Sequence, residues 1–90
     1  MDKDKIIEAL KKDINRLSRV NGQFTMISEQ KLMILVDDCN INGRENIRKG
    51  MLIIENYLDE HYYAAETEAN YPERIGALGM EFIYTPKKRV

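Results

Sequence analysis

Between Asp4 and Val20, Ile6, Ile7, Leu10, Ile14 and Leu17 recur at helical spacing, while Lys11, Lys12, Arg16 and Arg19 fall off that stripe and Asn21-Gly22 closes the segment. The pattern predicts an amphipathic helix over residues 4–20. Phe24-Thr25-Met26-Ile27 is short, apolar and rich in strand formers, so a strand is expected at 24–27. Ser28-Glu29-Gln30 then reads as a helix start, with the serine oxygen free to accept from unpaired backbone amides, and predicts a second helix over 29–39. Leu32–Val36 taken alone suits a buried strand equally well, because five apolar residues carry no decisive period.

Asn40-Ile41-Asn42-Gly43 reads as a turn, with Asn42 placed to cap a third helix and Glu45 three residues on to answer it. Ile47, Met51, Ile54, Leu58 and Tyr62 form one stripe and predict a helix over 43–60, the longest element. From His61 the chain can either stay helical through Ala64 and Ala65 or turn into a strand. Tyr71-Pro72, Gly76 and Gly79 then impose irregular backbone before a strand at 80–84, which Pro86 stops. The expected fold is a single α+β domain over residues 1–90, mostly helical, with three helices and a small antiparallel sheet. Its expected core joins Leu10, Ile14, Ile47, Met51, Ile54, Leu58 and Phe82.

Composition bounds the picture without changing it. Ninety residues with 43% hydrophobic and 32% charged content suit one modest core. The longest apolar run, Leu32–Val36, has five residues, against about 20 needed to span a bilayer, and Met1–Lys5 lacks the apolar stretch of a signal peptide. A cytoplasmic protein with no membrane association is expected. Cys39 is the single cysteine, so no internal disulfide or multi-thiolate metal site can form, and a small core residue is its expected role.

Charge does change the picture. The net charge is −1, yet residues 1–22 carry +2, residues 23–49 carry 0, residues 50–73 carry −6 and residues 74–90 carry +3. From Glu55 to Glu73 there are six carboxylates and no Lys or Arg, with Tyr57, Tyr62, Tyr63 and Tyr71 among them. Like charges on one surface add their fields, and tyrosine supplies contact area with a hydrogen-bonding tip. The block therefore points to a non-enzymatic regulatory or inhibitory protein. Its face of Glu55, Asp59, Tyr62, Tyr63, Glu66 and Glu68 would bind a basic protein surface, such as that of a nucleic-acid-binding protein.

A second pattern competes with it. Leu35, Val36, Cys39, Asn40 and Ile41 would supply the buried positions of one helix and a turn, and Ile47, Met51 and Ile54 those of the next helix. With a strand before and a strand pair after, the element order over about residues 23–84 resembles that of winged helix-turn-helix domains. Asn40 and Val36 stand where glycine and alanine are usual in that family. The resemblance implies a DNA-binding transcriptional regulator whose recognition helix presents Arg44, Asn46, Arg48 and Lys49 to the major groove.

Other chemistry finds little purchase. Asp38-Cys39-Asn40-Ile41-Asn42-Gly43 matches the first half of a calcium-binding loop, but Lys49 occupies the position of the closing bidentate glutamate, and a cation there opposes another. No metal and no cofactor is expected. His61 and Cys39 lie 22 residues apart in different elements, and no glycine-rich phosphate loop is present, so no catalytic residue is assigned.

Overall fold

The computed structural model describes residues 2–17, 19–66 and 80–87. The chain opens with helix α1 (Lys3–Arg16), whose start is fixed by Asp2: its Oδ1 accepts from the backbone amides of Asp4 and Lys5 at 3.0 and 3.3 Å. Ile6, Leu10 and Ile14 are its buried face. The helix stops short of the expected residue 20 because Leu17 turns extended. Val20 and Gln23 then exchange backbone hydrogen bonds at 3.1 and 3.0 Å around Asn21 and Gly22, both at positive φ, and this tight reversal aims the chain into the sheet.

Strand β1 (Phe24–Ile27) falls where the sequence placed it. Helix α2 (Ser28–Met33) follows without a break, and the residue that caps it is Gln30, not Ser28: Gln30 Oε1 accepts from the Ile27 amide at 2.9 Å. A π-helical turn (Ile34–Asp38) continues α2, closed by Cys39 N donating to Ile34 O at 3.2 Å, so Leu32–Val36 is helical and not a strand. Asn40 at φ 52° ends it, a left-handed position that asparagine tolerates better than most residues.

Helix α3 (Arg44–His61) begins after Gly43 at φ 91°. Asn42 does not cap it; its backbone carbonyl instead accepts from Asn46 Nδ2 at 3.2 Å. Gly50, Ile54 and Leu58 are buried along its inner face. Gly50 lets α3 approach α2 closely: a Cβ there would stand 2.8 Å from Leu35 Cδ2.

After His61 the chain turns into a strand, settling the alternative that periodicity left open. Strand β2 (Tyr62–Glu66) and strand β3 (Glu81–Pro86) pair antiparallel, with Tyr62 opposite Pro86 and Ala64 opposite Tyr84. β3 also pairs antiparallel with β1, Phe24 opposite Tyr84, giving a three-stranded sheet in the order β1-β3-β2. The sheet thus has one strand more than the two expected. Its apolar face packs on the helices through Phe24, Met26 and Tyr84, which join Ile6, Leu10, Ile14, Ile34, Leu35, Cys39, Ile54 and Leu58 in one core. Of the expected core, Leu10, Ile14, Ile54 and Leu58 are fully inside, while Ile47, Met51 and Phe82 are half-buried against it. Ring contacts bind the sheet further: Phe24 stacks on Tyr84 at 5.1 Å and meets Tyr62 edge-on at 5.1 Å. No described helix is long and apolar enough to cross a membrane.

Candidate functional site

The described part of the acidic block divides between helix α3 and strand β2. In β2, successive side chains alternate between the two faces of the sheet. Tyr62 and Glu66 lie on the side of Phe24 and Tyr84, whereas Tyr63 lies on the opposite side with Thr85. Tyr62 is held in ring contacts with Phe24 and Tyr84, and burial pushes its hydroxyl pKa up. Tyr63 is 64% exposed. Glu68, and Glu73 beside it in the block, fall outside the described residues, as does the loop expected between the last two strands. Among the described residues of the block, Glu55 and Asp59 share one side of α3 and Asp59 and Tyr63 both lie beside Lys87, while Tyr62 packs inward and Glu66 lies on the other face of β2 from Tyr63.

The chain also supplies its own cations to this region. Lys31 on α2 is 3% exposed, and its Nζ donates to Glu55 Oε1 at 2.5 Å. The same ammonium lies 5.7 Å from the Phe82 ring centre and 5.6 Å from that of Tyr84, whose hydroxyl it also reaches. Burial works to lower the Lys31 pKa, but the hydrogen bonds to Glu55 and Tyr84 outweigh it and the net shift is upward. Tyr84 is shifted upward by burial, with Glu55 and Asp59 adding to the effect and Lys31 opposing it. Lys87, after β3, donates from Nζ to the backbone carbonyl of Asp59 at 2.6 Å in the last turn of α3 and sits 5.3 Å from the Tyr63 ring centre. A lysine there satisfies a helix-end carbonyl and favours the negative end of the helix dipole.

Sequence inspection overlooked Lys31, although the signal was present. Lys31, Ile34 and Leu35 are spaced i, i+3, i+4, which puts the lysine on the buried stripe of its own helix.

The residues of the other candidate surface lie within the first two turns of α3. Arg44, Asn46, Arg48 and Lys49 all stand exposed in these turns, while Ile47 among them packs half-buried against the core and Asn46 Nδ2 is engaged with the Asn42 carbonyl. Lys49 meets Glu45 one turn back at 3.5 Å, both side chains largely in solvent, a pair worth little. The helix before this one presents Leu35 and Cys39 inward as expected and Ile41 half-buried, but Val36 and Asn40 are exposed and do not belong to the buried set. Toward its C-terminus the outer side of α3 changes character, through Leu52 and Asn56 to Asp59 and Glu60.

Cys39 is buried in the core, and burial pushes its thiol pKa up, while the His61 ring lies 4.4 Å from that of Tyr57, tilted by 44°, at the far end of α3. Burial, with the neighbouring Asp38 charge adding to it, raises the Asp13 pKa. Among the described residues no three His, Cys, Asp or Glu side chains converge as a metal site. No family model, curated protein or solved structure matches the chain significantly.

Proposed function

We propose that this protein binds duplex DNA through the N-terminal half of α3. The observation that carries the proposal is the split character of that helix: Arg44, Asn46, Arg48 and Lys49 are exposed on turns whose inner side is anchored by buried Gly50 and Ile54. Arginine and asparagine match the acceptor and donor pairs of guanine and adenine in the major groove, and Arg and Lys neutralise phosphates. The described elements run helix, strand, helix, helix, strand, strand, with β3 between β1 and β2, an arrangement that supports the winged-helix resemblance. The acidic C-terminal half of α3, with Asp59 and Glu60, would be held away from the phosphates while the N-terminal half enters the groove.

Protein binding through an acidic, tyrosine-containing face is the second reading, and what favours it is Tyr63, 64% exposed on the outer face of the sheet. It draws on fewer residues, since Glu55 answers Lys31 and Tyr62 packs inward. Titration against duplex DNA at rising salt separates the two. DNA binding through the basic turns of α3 weakens steeply with salt, and absence of any DNA signal at low salt would leave the protein-binding reading in its place.

A further inference from the structure

Strand β2 is an edge of the sheet, with β3 on one side and no described strand on the other. Lys87 N donates to His61 O at 3.0 Å, and the register sets Tyr62 opposite Pro86, which has no N–H to give. Bonded pairs alternate along an antiparallel ladder, so Tyr63 and Ala65 bond to β3, while Tyr62, Ala64 and Glu66 turn their backbone groups to the open edge. The Tyr62 amide already donates to Leu58 O at the end of α3. The Tyr62 carbonyl and the backbone groups of Ala64 and Glu66 face outward, and another extended segment is what offers donors and acceptors at that spacing. The edge reads Tyr-Tyr-Ala-Ala-Glu in unbroken register, without the lysine, proline or bulge by which natural edges are blunted.

We propose that β2 pairs antiparallel with β2 of a second copy about a two-fold axis at Ala64, joining the two sheets into one. Ala64 then exchanges both backbone bonds with the copy's Ala64, and each Glu66 amide donates to the other copy's Tyr62 carbonyl. Side chains select a copy over an unrelated strand. On the outer face Tyr63, 64% exposed, lies opposite the copy's Ala65, whose methyl leaves room for the ring. On the inner face the copy's Glu66 lies opposite Tyr62, and the charges acting there are cationic. Burial and Tyr57 raise the Tyr62 hydroxyl pKa, and Arg19 and Lys11 oppose the rise. Arg19 Nη2 also donates to Asn15 Oδ1 of α1 at 3.3 Å. Asp59 lies elsewhere, beside Lys87 and Tyr63. Each Glu66 therefore meets cations of the other copy, twice by symmetry. β1, the other edge, carries no charged residue to orient a copy. The pairing is independent of the DNA-binding reading, since the first turns of α3 lie at the opposite end of that helix from β2.

Sedimentation equilibrium over about a hundredfold range of protein concentration reads the association. Wild type should pass from monomer to dimer. Ala64→Pro removes an outward amide and leaves the ladder to β3 in place, so it should stay monomeric, with the circular dichroism of wild type. Glu66→Lys should weaken the dimer about tenfold, and adding Lys11→Glu and Arg19→Glu to the same chain should restore it. Hydrogen exchange on wild type gives a readout that needs no variant to fold: the Ala64 and Glu66 amides should gain protection as concentration rises, while those of Tyr63 and Ala65 are protected throughout. A wild type that is monomeric at every concentration, a dimer that Ala64→Pro retains, or an Ala64 amide whose exchange ignores concentration overturns the proposal. A dimer that Glu66→Lys leaves unchanged overturns the register about Ala64.

Discussion

Lys31 Nζ and Glu55 Oε1 lie 2.5 Å apart, 24 residues apart in sequence, and tie α2 to α3 beside Phe82 and Tyr84. The two ends are not equivalent, because the Lys31 side chain is 4% exposed and that of Glu55 is 43% exposed. Replacing Glu55 by Leu strands a buried ammonium with Tyr84 and two ring faces, a loss of about 3 kcal/mol. Replacing Lys31 by Met removes the buried charge and leaves a carboxylate that water already reaches, so stability should stay within about 1 kcal/mol of wild type. Urea midpoints should therefore rank Lys31→Met well above Glu55→Leu, and the double variant should recover most of the Glu55→Leu loss. The reverse ranking would show that the pair is not what makes Glu55 structural.

The same cluster sets an alkaline limit. Lys31 is raised above its ordinary 10.5 by Glu55 and Tyr84 against the opposing effect of burial, and Tyr84 is raised above 10.0 by burial. Both groups hold their protons more tightly in the folded chain. Their favourable contribution is therefore fully present below about pH 10 and is lost as pH climbs through the raised folded values. Urea midpoints should be flat from about pH 8 to 9.5 and fall above about pH 10. Tyr84→Phe should make the fall shallower without abolishing it, because burial also raises Tyr57 and Tyr62. A midpoint independent of pH up to about 11.5 would contradict the shifts.

Gly50 against Leu35 tests how tightly α2 and α3 meet. Alanine at an ordinary helix position gains about 1 kcal/mol over glycine. Here its Cβ would meet Leu35 Cδ2 at 2.8 Å and Cδ1 at 3.1 Å, and Leu35 is fully buried in the core. Overpacking costs about 1–3 kcal/mol. Gly50→Ala should therefore be destabilising by about 1 kcal/mol net, and combining it with Leu35→Ala should cost less than the two single changes added together. A stabilised Gly50→Ala would mean that the helices can part at no cost.

For DNA binding, Arg44, Arg48 and Lys49 changed jointly to Ala should leave the fold intact, since all three are exposed. The slope of log affinity against log salt should become shallower by up to about 3, one for each phosphate contact removed. Asp59→Lys with Glu66→Lys gives the opposing control. Under the DNA reading it should maintain or raise affinity, because positive charge is added near a polyanion. Association with a basic protein partner would instead weaken sharply and become less dependent on salt. Equal DNA binding by wild type and the triple variant would remove α3 as the contact.

Much of the fold was legible because its signals are local. The stripes Ile6, Leu10, Ile14 and Ile54, Leu58 name the buried faces of α1 and α3 wherever those helices end up, and Phe24–Ile27 reads as a strand from its own residues. The ends of helices were less legible. Leu17 leaves α1 because the turn at Asn21-Gly22 must deliver β1 to the sheet, and Tyr62 leaves α3 because its ring is held edge-on against Phe24 and Tyr84. Pairing with β3, supplied more than 15 residues later, decides for strand over helix at 62–66.

The sequence by itself determined helical content, the α+β class and which residues of each helix are apolar, since these follow from periods of a few residues. Tertiary structure alone decided which partners the described charges of the acidic block meet. Groups separated along the chain meet in space, the Lys31 ammonium with the Glu55 carboxylate and the Lys87 ammonium with the backbone carbonyl of Asp59 28 residues away, so a charge inferred by summing neighbours in sequence can be answered by a partner far along the chain. Arg44, Asn46, Arg48 and Lys49 lie within two turns of one helix, where closeness in sequence and closeness in space coincide.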